Sequence, residues 1–217
     1  MRIIAGSYRS RRLEAPPGFS TRPTSDRLRE TLFNVLAPRT IGAAFLDLYA
    51  GSGAVGLEAL SRGAARVTFV ERAPAALRVL RRNLVQLGIE SGYEVRSESV
   101  AAFLRSAAKA SPRPEPHEVP KSKPHEVARP GRYELVFLDP PYDAMQEYAA
   151  TLGVLGDAGQ GILARGALVV AEHGRKQALE EQYGGLKRSR LLEQGDAALS
   201  FYEAGSMLPD GAAAGPE

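Results

Sequence analysis

Apolar and polar positions follow two alternating patterns along most of the chain. Short, mainly apolar runs have the length and composition of buried strands, and they lie at 45–49, 66–70, 93–96, 133–138 and 167–171. Between them, apolar positions recur every three or four residues, as on one face of a helix. Helices are predicted after Gly53, over 99–108 and 144–155, and on the stripe of Leu77, Leu80, Leu84 and Leu87. Strands that alternate with helices predict a mostly parallel α/β sheet covered on both faces.

The pattern changes at both ends of the chain. Residues 1–39 are interpreted as a basic arm, with a short strand over 2–8 and a helix that begins after the cap Ser25 and ends at Pro38. At the other end, 189–193 and 198–202 flank Gly195-Asp196, a pairing typical of an antiparallel hairpin. The main domain is therefore expected over 40–204, followed by a disordered Gly/Ala/Pro tail over 205–217.

One segment inside the domain, 111–131, does not fit the alternation. It is rich in Pro, Lys, Glu and His, and it contains Pro-His-Glu-Val twice, at 116–119 and 124–127. Such a composition cannot form a core, so a flexible insertion is predicted, and its histidines are not interpreted as metal ligands.

Composition narrows the class of protein. A chain of 217 residues with 44% hydrophobic residues is expected to bury one main core, and it has no apolar run long enough for a membrane span. It has no Cys and three His, which argues against a disulfide, a thiolate zinc site or a metal enzyme. A cytoplasmic protein without bound metal or membrane contact is expected, and we expect it to be a monomer.

Positive charge is concentrated in two regions. The net formal charge is +3, but residues 1–39 carry +5 and residues 105–132 carry +4. Clustered arginines suit contacts with nucleic-acid phosphates, and the candidates in the arm are Arg9, Arg11, Arg12 and Arg22. A solvated arginine-rich face explains the same pattern equally well.

A glycine-rich loop joins the first predicted strand of the domain to the helix after it. Gly51, Gly53 and Gly56 form G-x-G-x-x-G, and Glu71 follows at the end of the next strand. Glycines allow a ligand to approach the backbone, and an acid at that position can accept the hydroxyls of a ribose. A dinucleotide and S-adenosylmethionine both fit a glycine loop followed by an acid in this way. Asp47, just before the loop, favours S-adenosylmethionine, because that cofactor carries a cationic methionine part.

The tetrapeptide Asp139-Pro140-Pro141-Tyr142 ends the apolar run 135–138. The two prolines fix the backbone, so that the carboxylate of Asp139 and the Pro140 carbonyl are oriented in advance. Tyr142 can stack on a planar base. This grouping favours recognition of a base that carries an exocyclic amine, and a simple Pro-Pro turn after a buried strand is the structural alternative.

Taken together, these motifs resemble the S-adenosylmethionine-dependent methyltransferases, and more narrowly the bacterial 16S rRNA guanine-N2 methyltransferase family (RsmD-like). The resemblance covers about residues 1–108 and 132–204. It depends on the following segments: Met1–Gly6, Thr21–Arg27, Leu46–Gly53, Asp139–Tyr142 and Ala198–Tyr202.

The resemblance implies a seven-stranded class I methyltransferase sheet, with its last strand antiparallel, and methyl transfer to N2 of guanine at position 966 of 16S rRNA. It implies a 16S rRNA or small-subunit partner. The implied catalytic residues are Asp139, Pro140, Pro141 and Tyr142. The implied cofactor residues are Asp47, Tyr49, Ala50, Gly51, Ser52, Gly53, Glu71, Arg72, Ser99, Val100 and Asp139. The implied RNA-contacting residues are Arg9, Arg11, Arg12, Arg22, Pro23 and Thr24.

Some alternatives stay open at this point. Relatives usually have Asp or Asn where Ser99 stands, so the adjacent Glu98 is a second candidate for the adenine contact. His173 is interpreted as a structural residue. The rival functions are an amino methyltransferase acting on adenine N6 of DNA or rRNA, a noncatalytic RNA-binding module with an adenosyl pocket, and an NAD-dependent oxidoreductase.

Overall fold

A computed structural model of the protein describes residues 1–15, 25–110, 132–141 and 144–205. Arg22, Pro23, Thr24 and Tyr142, the insertion 111–131 and the tail from 206 onward lie outside these residues. The helices are α1 (Asp26–Thr40), α2 (Ala54–Ser61), α3 (Pro74–Leu87), α4 (Val100–Ala110) and α5 (Met145–Gly156). The strands are β1 (Ala44–Leu48), β2 (Arg66–Val70), β3 (Tyr93–Arg96), β4 (Tyr133–Leu138), β5 (Leu163–Gly174), β6 (Gln182–Tyr183), β7 (Leu186–Gln194) and β8 (Ala197–Ala204).

The eight strands found in the described residues belong to one sheet, in the order β3-β2-β1-β4-β5-β8-β7-β6. Strands β1 to β5 pair in parallel with one another, while β8 pairs antiparallel with β5 and β7. Two apolar clusters cover the sheet. Helices α1, α2 and α3 pack in one cluster, and α4 and α5 pack in the other. Strand β1 is buried along its whole length, as expected for a central parallel strand.

The predicted fold class and the C-terminal hairpin are confirmed, with one difference in strand number. The sheet has eight strands rather than seven, because the two-residue strand β6 pairs with the start of β7. A two-residue pairing leaves almost no apolar pattern in a sequence. Within the described segments, no helix combines the length and the apolar character needed to cross a bilayer.

Two local predictions in the arm are wrong. Helix α1 continues past Pro38 to Thr40. A proline so close to the helix end removes one hydrogen bond, and the Thr40 hydroxyl donates to the Leu36 carbonyl in the same turn at 2.9 Å. Residues 2–8 do not form a strand; the described residues of this region contain an isolated antiparallel bridge between Arg2 and Arg12.

The N-terminal segment is held instead by a buried carboxylate on α2. Glu58 accepts hydrogen bonds from the backbone N–H groups of Ile4 (2.8 Å) and Ala5 (3.0 Å), and from Arg62 Nε (2.7 Å). Gly6 then lies so close to Ser61 that a Cβ at this position would be 1.8 Å from the Ser61 carbonyl oxygen. The Ile-Ile-Ala-Gly motif therefore has a structural role, which is to attach the arm to α2.

Candidate active site

A cavity of about 490 Å³ opens at the carboxyl ends of β1, β2 and β4. Its size is typical of a small-molecule site, and its position is where open α/β sheets bind ligands. Twelve of the implied catalytic and cofactor residues lie on its wall: Asp47, Tyr49, Ala50, Gly51, Ser52, Glu71, Arg72, Ser99, Val100, Asp139, Pro140 and Pro141. The glycine loop and the double-proline turn therefore open onto the same cavity.

The glycine loop is fixed by Glu71. One carboxylate oxygen of Glu71 accepts from the Gly51 N–H at 2.9 Å, and the other accepts from the Ala73 N–H at 2.7 Å. A carboxylate has about four acceptor positions, so it can accept further donors from a ligand. Gly51 has a positive φ of 57°, and a Cβ at this position would meet the Tyr49 carbonyl oxygen at an ordinary contact distance of 3.9 Å, so the backbone is accessible from the cavity.

Gly53 and Gly56 have a different role. A Cβ at Gly53 would lie 2.2 Å from Leu80 Cδ1, and a Cβ at Gly56 would lie 2.3 Å from Phe69 Cε1. Both glycines thus allow the first turn of α2 to pack closely against α3 and β2. Gly53 is absent from the cavity lining given by the described residues.

Asp47 is a buried carboxylate at the base of the cavity, with 2% of its surface exposed. Its Oδ2 accepts from the Gly56 N–H at 2.9 Å, near the N-terminus of α2. The pKa of Asp47 is raised to about 8; burial is the main cause, the Gly56 hydrogen bond acts in the opposite direction, and the negative charge of Glu71 adds to the increase. A cation in the cavity would stabilise the ionised form of this side chain.

Asp139 follows directly after β4 and is half-buried, whereas Pro140 is buried and Pro141 is exposed. The pKa of Asp139 is raised well above its ordinary value, first by burial and then by the negative charges of Glu172 and Asp47. The Pro141 carbonyl accepts from the Ala144 N–H at 2.9 Å, one residue before α5 begins. The turn is thereby joined to the first turn of α5.

Sequence reasoning missed Glu147 on α5, which contacts Tyr49 just before the glycine loop. The Tyr49 hydroxyl donates to Glu147 Oε2 at 2.8 Å and lies 3.0 Å from Thr151 Oγ1. Tyr49 has a positive φ of 60°, which is rare for an aromatic residue. Glu147 is one polar residue among several in α5, and no local motif marks it.

The segment between β3 and α4 lines the cavity and contains both candidates for the adenine contact, Glu98 and Ser99. Ser99 Oγ accepts from the Ala102 N–H at 3.2 Å, near the start of α4. Glu98 is also on the wall, and its Oε1 accepts from Arg96 Nε at 2.9 Å and Nη2 at 2.7 Å. Which of the two contacts a ligand stays a prediction.

The arginines of the arm occupy different environments. The Arg11 guanidinium donates to the carbonyls of Gln86 and Leu87, at the C-terminal end of α3 where helix carbonyls lack partners. Arg12 is exposed. Arg9 lines a separate groove of about 460 Å³ together with Arg2 and Arg27, between residues 2–10 and the start of α1.

His173 lies behind the site and has a structural role. Its Nε2 is 2.9 Å from Ser200 Oγ, and its Nδ1 is 3.0 Å from the Gly174 carbonyl oxygen. Burial lowers the pKa of His173, which favours the neutral ring. Among the described residues, no group of three or more His, Asp or Glu side chains has an arrangement that could hold a metal ion.

Known proteins share this fold over nearly the whole chain. The Escherichia coli Ribosomal RNA small subunit methyltransferase D is 36% identical over 205 residues, which cover 94% of this chain and 89% of that protein. The solved Escherichia coli protein yhhF has a TM-score of 0.72 and 35% identity, over 94% of this chain and 97% of its own. A Salinibacter ruber RNA methyltransferase, solved with S-adenosyl-L-homocysteine, shares the fold at 14% identity with a TM-score of 0.55, over 88% of this chain and 98% of its own.

The sheet order and the cavity above its carboxyl ends define a class I S-adenosylmethionine-dependent methyltransferase. Residues 1–114 and 117–203 match the family described as Conserved hypothetical protein 95. The chain belongs to that family, the RsmD family of methyltransferases, and the resemblance drawn from the sequence is confirmed.

Proposed function

We propose that this protein transfers a methyl group from S-adenosylmethionine to the exocyclic N2 amine of a guanine in 16S rRNA, at the position numbered 966. The relative named Ribosomal RNA small subunit methyltransferase D supports the rRNA substrate. The observation that carries the proposal is that Gly51 and Asp139 line one cavity, so that a cofactor on the glycine loop and a base at the double-proline turn can meet. Such a substrate also implies a cytoplasmic location.

The residues of the cavity suit S-adenosylmethionine. Its cationic methionine part fits near the buried Asp47 and the accessible backbone of Gly51. Glu71 keeps acceptor capacity for ribose hydroxyls, and Ser99 and Val100 line the side assigned to adenine. When bound, this cofactor supplies a methyl group attached to a sulfonium sulfur. The sulfur is a good leaving group, so the transfer needs no metal.

The protein then has to activate a weak nucleophile. The lone pair of guanine N2 is delocalised into the ring, so the amine must be oriented for attack. Asp139 and the Pro140 carbonyl accept the two N–H hydrogen bonds of that amine. These bonds strengthen as positive charge develops on the nitrogen, and preorganised groups of this kind contribute a few kcal/mol to transition-state stabilisation.

The RNA backbone is assigned to the basic side of the arm. Arg9, Arg2 and Arg27 line one groove, and exposed Arg12 lies on the same segment. The Arg11 guanidinium already donates hydrogen bonds to helix carbonyls. Its contribution to RNA binding should therefore be smaller than those of Arg9 and Arg12. Arg22, Pro23 and Thr24 lie outside the described residues, and their contact with the target base stays a prediction.

The replacement of Asp139 tests the proposal. Asp139→Asn keeps the shape but removes the negative charge, so we expect kcat to fall by about a hundredfold or more, while the Kd for S-adenosylmethionine changes little. Methyl transfer to 16S rRNA or to small subunits is measured with radiolabelled cofactor. Asp157→Asn, at an exposed carboxylate that does not line the cavity, is the matched control and should keep full activity.

Mass mapping of the product identifies the base. N2-methylguanine in 16S rRNA supports the proposal, and N6-methyladenine would replace it with the rival amino methyltransferase. Cofactor binding without transfer to any rRNA would favour a noncatalytic RNA-binding module. An Asp139→Asn variant with unchanged kcat would remove the proposed role of the carboxylate.

A further inference from the structure

Two exposed cations follow the carboxyl end of β5. This strand ends at Gly174, and Arg175 and Lys176 come directly after it with exposed side chains. Because β5 pairs in parallel with β4, its carboxyl end lies at the edge of the sheet where the cavity opens. By the register of the two strands, Asp139 stands level with Glu172. Arg175 therefore begins about 10 Å further out than Asp139, one strand to the side.

Hydrogen bonds of other groups fix the turn that carries these two side chains. The Arg175 N–H donates to the Asp196 carbonyl at 2.8 Å, and the Gln177 N–H donates to the Gly174 carbonyl at 2.8 Å. The Gly174 N–H donates to Gln177 Oε1 at 2.7 Å. These three contacts do not use the side chains of Arg175 and Lys176, so the turn is held in place while both cations extend to the surface.

Helix α1 connects this edge of the sheet with the basic groove of the arm. Near the end of the helix, the Arg39 guanidinium donates to the Gly166 carbonyl in the amino-terminal part of β5. Near its start, the Thr31 hydroxyl donates to Gln194 Oε1 at 3.0 Å, beside the hairpin turn at the opposite edge. The helix therefore runs from the carboxyl edge to the amino edge of the sheet. Its first turn, which contains Arg27, lies at the same edge as the cavity.

Positive charge prevails along this edge. Five cations lie on the two sides of the hairpin turn: Arg2, Arg9 and Arg27 in the groove, and Arg175 and Lys176 after β5. Arg2 is 3.8 Å from Asp26, and the ion pairs between described residues involve none of the other four. The acidic residues of the region are Asp26, which pairs with the buried Arg29 at 2.9 Å, Glu30 in the groove, and Glu193 and Asp196 in the hairpin.

We propose that Arg175 and Lys176 form a second contact surface for the phosphates of the RNA substrate, across the hairpin turn from the arm. The inference rests on the proposed function, which supplies RNA as the partner. Phosphate contacts add salt-dependent affinity and fix the orientation of a nucleic acid, whereas base contacts determine which base is chosen. An RNA held on both sides of the hairpin turn presents its target base to Asp139 in one orientation.

Binding of a 16S rRNA fragment, measured by fluorescence anisotropy at several salt concentrations, tests this surface. In Arg175→Gln/Lys176→Gln the backbone hydrogen bonds of the turn remain, and two positive charges are lost. We expect the RNA Kd to rise by about tenfold near 0.1 M salt, and the slope of log Kd against log salt concentration to fall by about 1 to 2. The KM for RNA should rise, whereas kcat at saturating RNA and the Kd for S-adenosylmethionine should stay near their wild-type values.

A charge-matched control is available at the opposite edge of the sheet. Arg165 of β5 and Lys187 of β7 are exposed near the amino ends of their strands. Arg165→Gln/Lys187→Gln also removes one arginine and one lysine, and it should bind the RNA fragment as tightly as the wild type. The variant Arg175→Lys/Lys176→Arg keeps both charges at the cavity edge and should recover most of the affinity.

The outcomes separate this surface from the proposed function. Equal losses of affinity in the two glutamine double variants would show that only the total charge matters, and would overturn the inference. Unchanged RNA Kd and KM in Arg175→Gln/Lys176→Gln would also overturn it, while methyl transfer to rRNA would leave the proposed function intact. RNA binding that depends on Arg175 and Lys176, without methyl transfer by the wild type, would reject the proposed function alone.

Discussion

At the scale of single residues, Asp47 is a buried carboxylate whose proposed contact with a cationic cofactor needs the ionised form. The fold holds its carboxylate in the interior, where the neutral form is favoured and the pKa is about 8. In the unfolded chain the same group has the ordinary pKa of an aspartate, about 4. The folded protein therefore binds a proton between these values that the unfolded chain has lost, so stability contributed by this group falls as pH rises from about 4 to about 8.

Asp47→Asn should remove this pH dependence. The slope expected from one such group is about 1.4 kcal/mol per pH unit within the window, so the variant should be more stable than the wild type at pH 8 and closer to it at pH 5. Urea unfolding at several pH values, without cofactor, measures the difference. The Kd for S-adenosylmethionine should rise in the same variant, because the compensating charge is lost.

Asp157 provides the control for this experiment. It is exposed, and hydrogen bonds from Gln160 and Gly159 lower its pKa, so its contribution to stability is already complete above the ordinary pKa. Asp157→Asn should leave the slope between pH 5 and pH 8 as in the wild type. An Asp47→Asn protein with the wild-type slope would contradict the assigned pKa.

The sequence predicted some of the site residues from local motifs, whereas others became evident only from the fold. Asp47, Gly51, Glu71 and Asp139 were found because they stand at strand ends next to recognisable loops. Glu172 follows the predicted apolar strand 167–171, but its place beside Asp139 depends on the strand order, since a whole helix separates β4 from β5 along the chain. Tyr49 was expected to contact the cofactor, whereas its hydrogen bond to Glu147 depends on how α5 packs.

At the scale of secondary-structure elements, the N-terminal segment is stabilised by polar contacts with α2 rather than by strand pairing. Glu58, Ser61 and the close approach of Gly6 replace the ladder that the pattern of 2–8 suggested. A sequence pattern reports apolar alternation, and Ile3 is indeed fully buried. It does not report which partner takes the backbone hydrogen bonds. The central strands were predicted well, because in a parallel sheet burial on both faces makes them continuously apolar.

Substitutions at two glycines can measure how much the contact between the N-terminal segment and α2 contributes to stability. Gly6 and Gly42 have similar positive φ values, 84° and 76°, but a Cβ at Gly42 meets nothing within 4 Å. Gly42→Ala should therefore cost about 1 kcal/mol of unfolding free energy, from the backbone conformation alone. Gly6→Ala adds a collision with the Ser61 carbonyl and should cost about 3 kcal/mol or detach the segment.

Denaturant unfolding and limited proteolysis separate these outcomes. A detached segment would expose the arm to trypsin at Arg9, Arg11 and Arg12, whereas Gly42→Ala should be cleaved as slowly as the wild type. Equal destabilisation by the two substitutions would contradict the contact between Gly6 and Ser61.

At the scale of the whole molecule, opposite charges are separated. The described lining of the cavity contains five acidic side chains (Asp47, Glu71, Glu98, Asp139 and Glu147) against Arg72, whereas residues 1–39 carry a net charge of +5. Under the proposed function, an RNA substrate places its phosphates on the basic arm and inserts one base beside a group of carboxylates. These carboxylates repel the nearby phosphates, and a cation in the cavity reduces that repulsion.

Cofactor charge should therefore change RNA affinity. Sinefungin carries an ammonium group in place of the sulfonium, whereas S-adenosylhomocysteine has a neutral sulfur. We expect a 16S rRNA fragment to bind about threefold to tenfold more tightly with sinefungin than with S-adenosylhomocysteine, and RNA to strengthen sinefungin binding by the same factor. Fluorescence anisotropy at several salt concentrations measures the RNA Kd, and salt should reduce the difference. In Asp47→Asn, which has one negative charge fewer when the cation is bound, the difference should be smaller. Equal RNA affinity with both compounds in the wild type would show that the charge of the cavity does not act on the RNA.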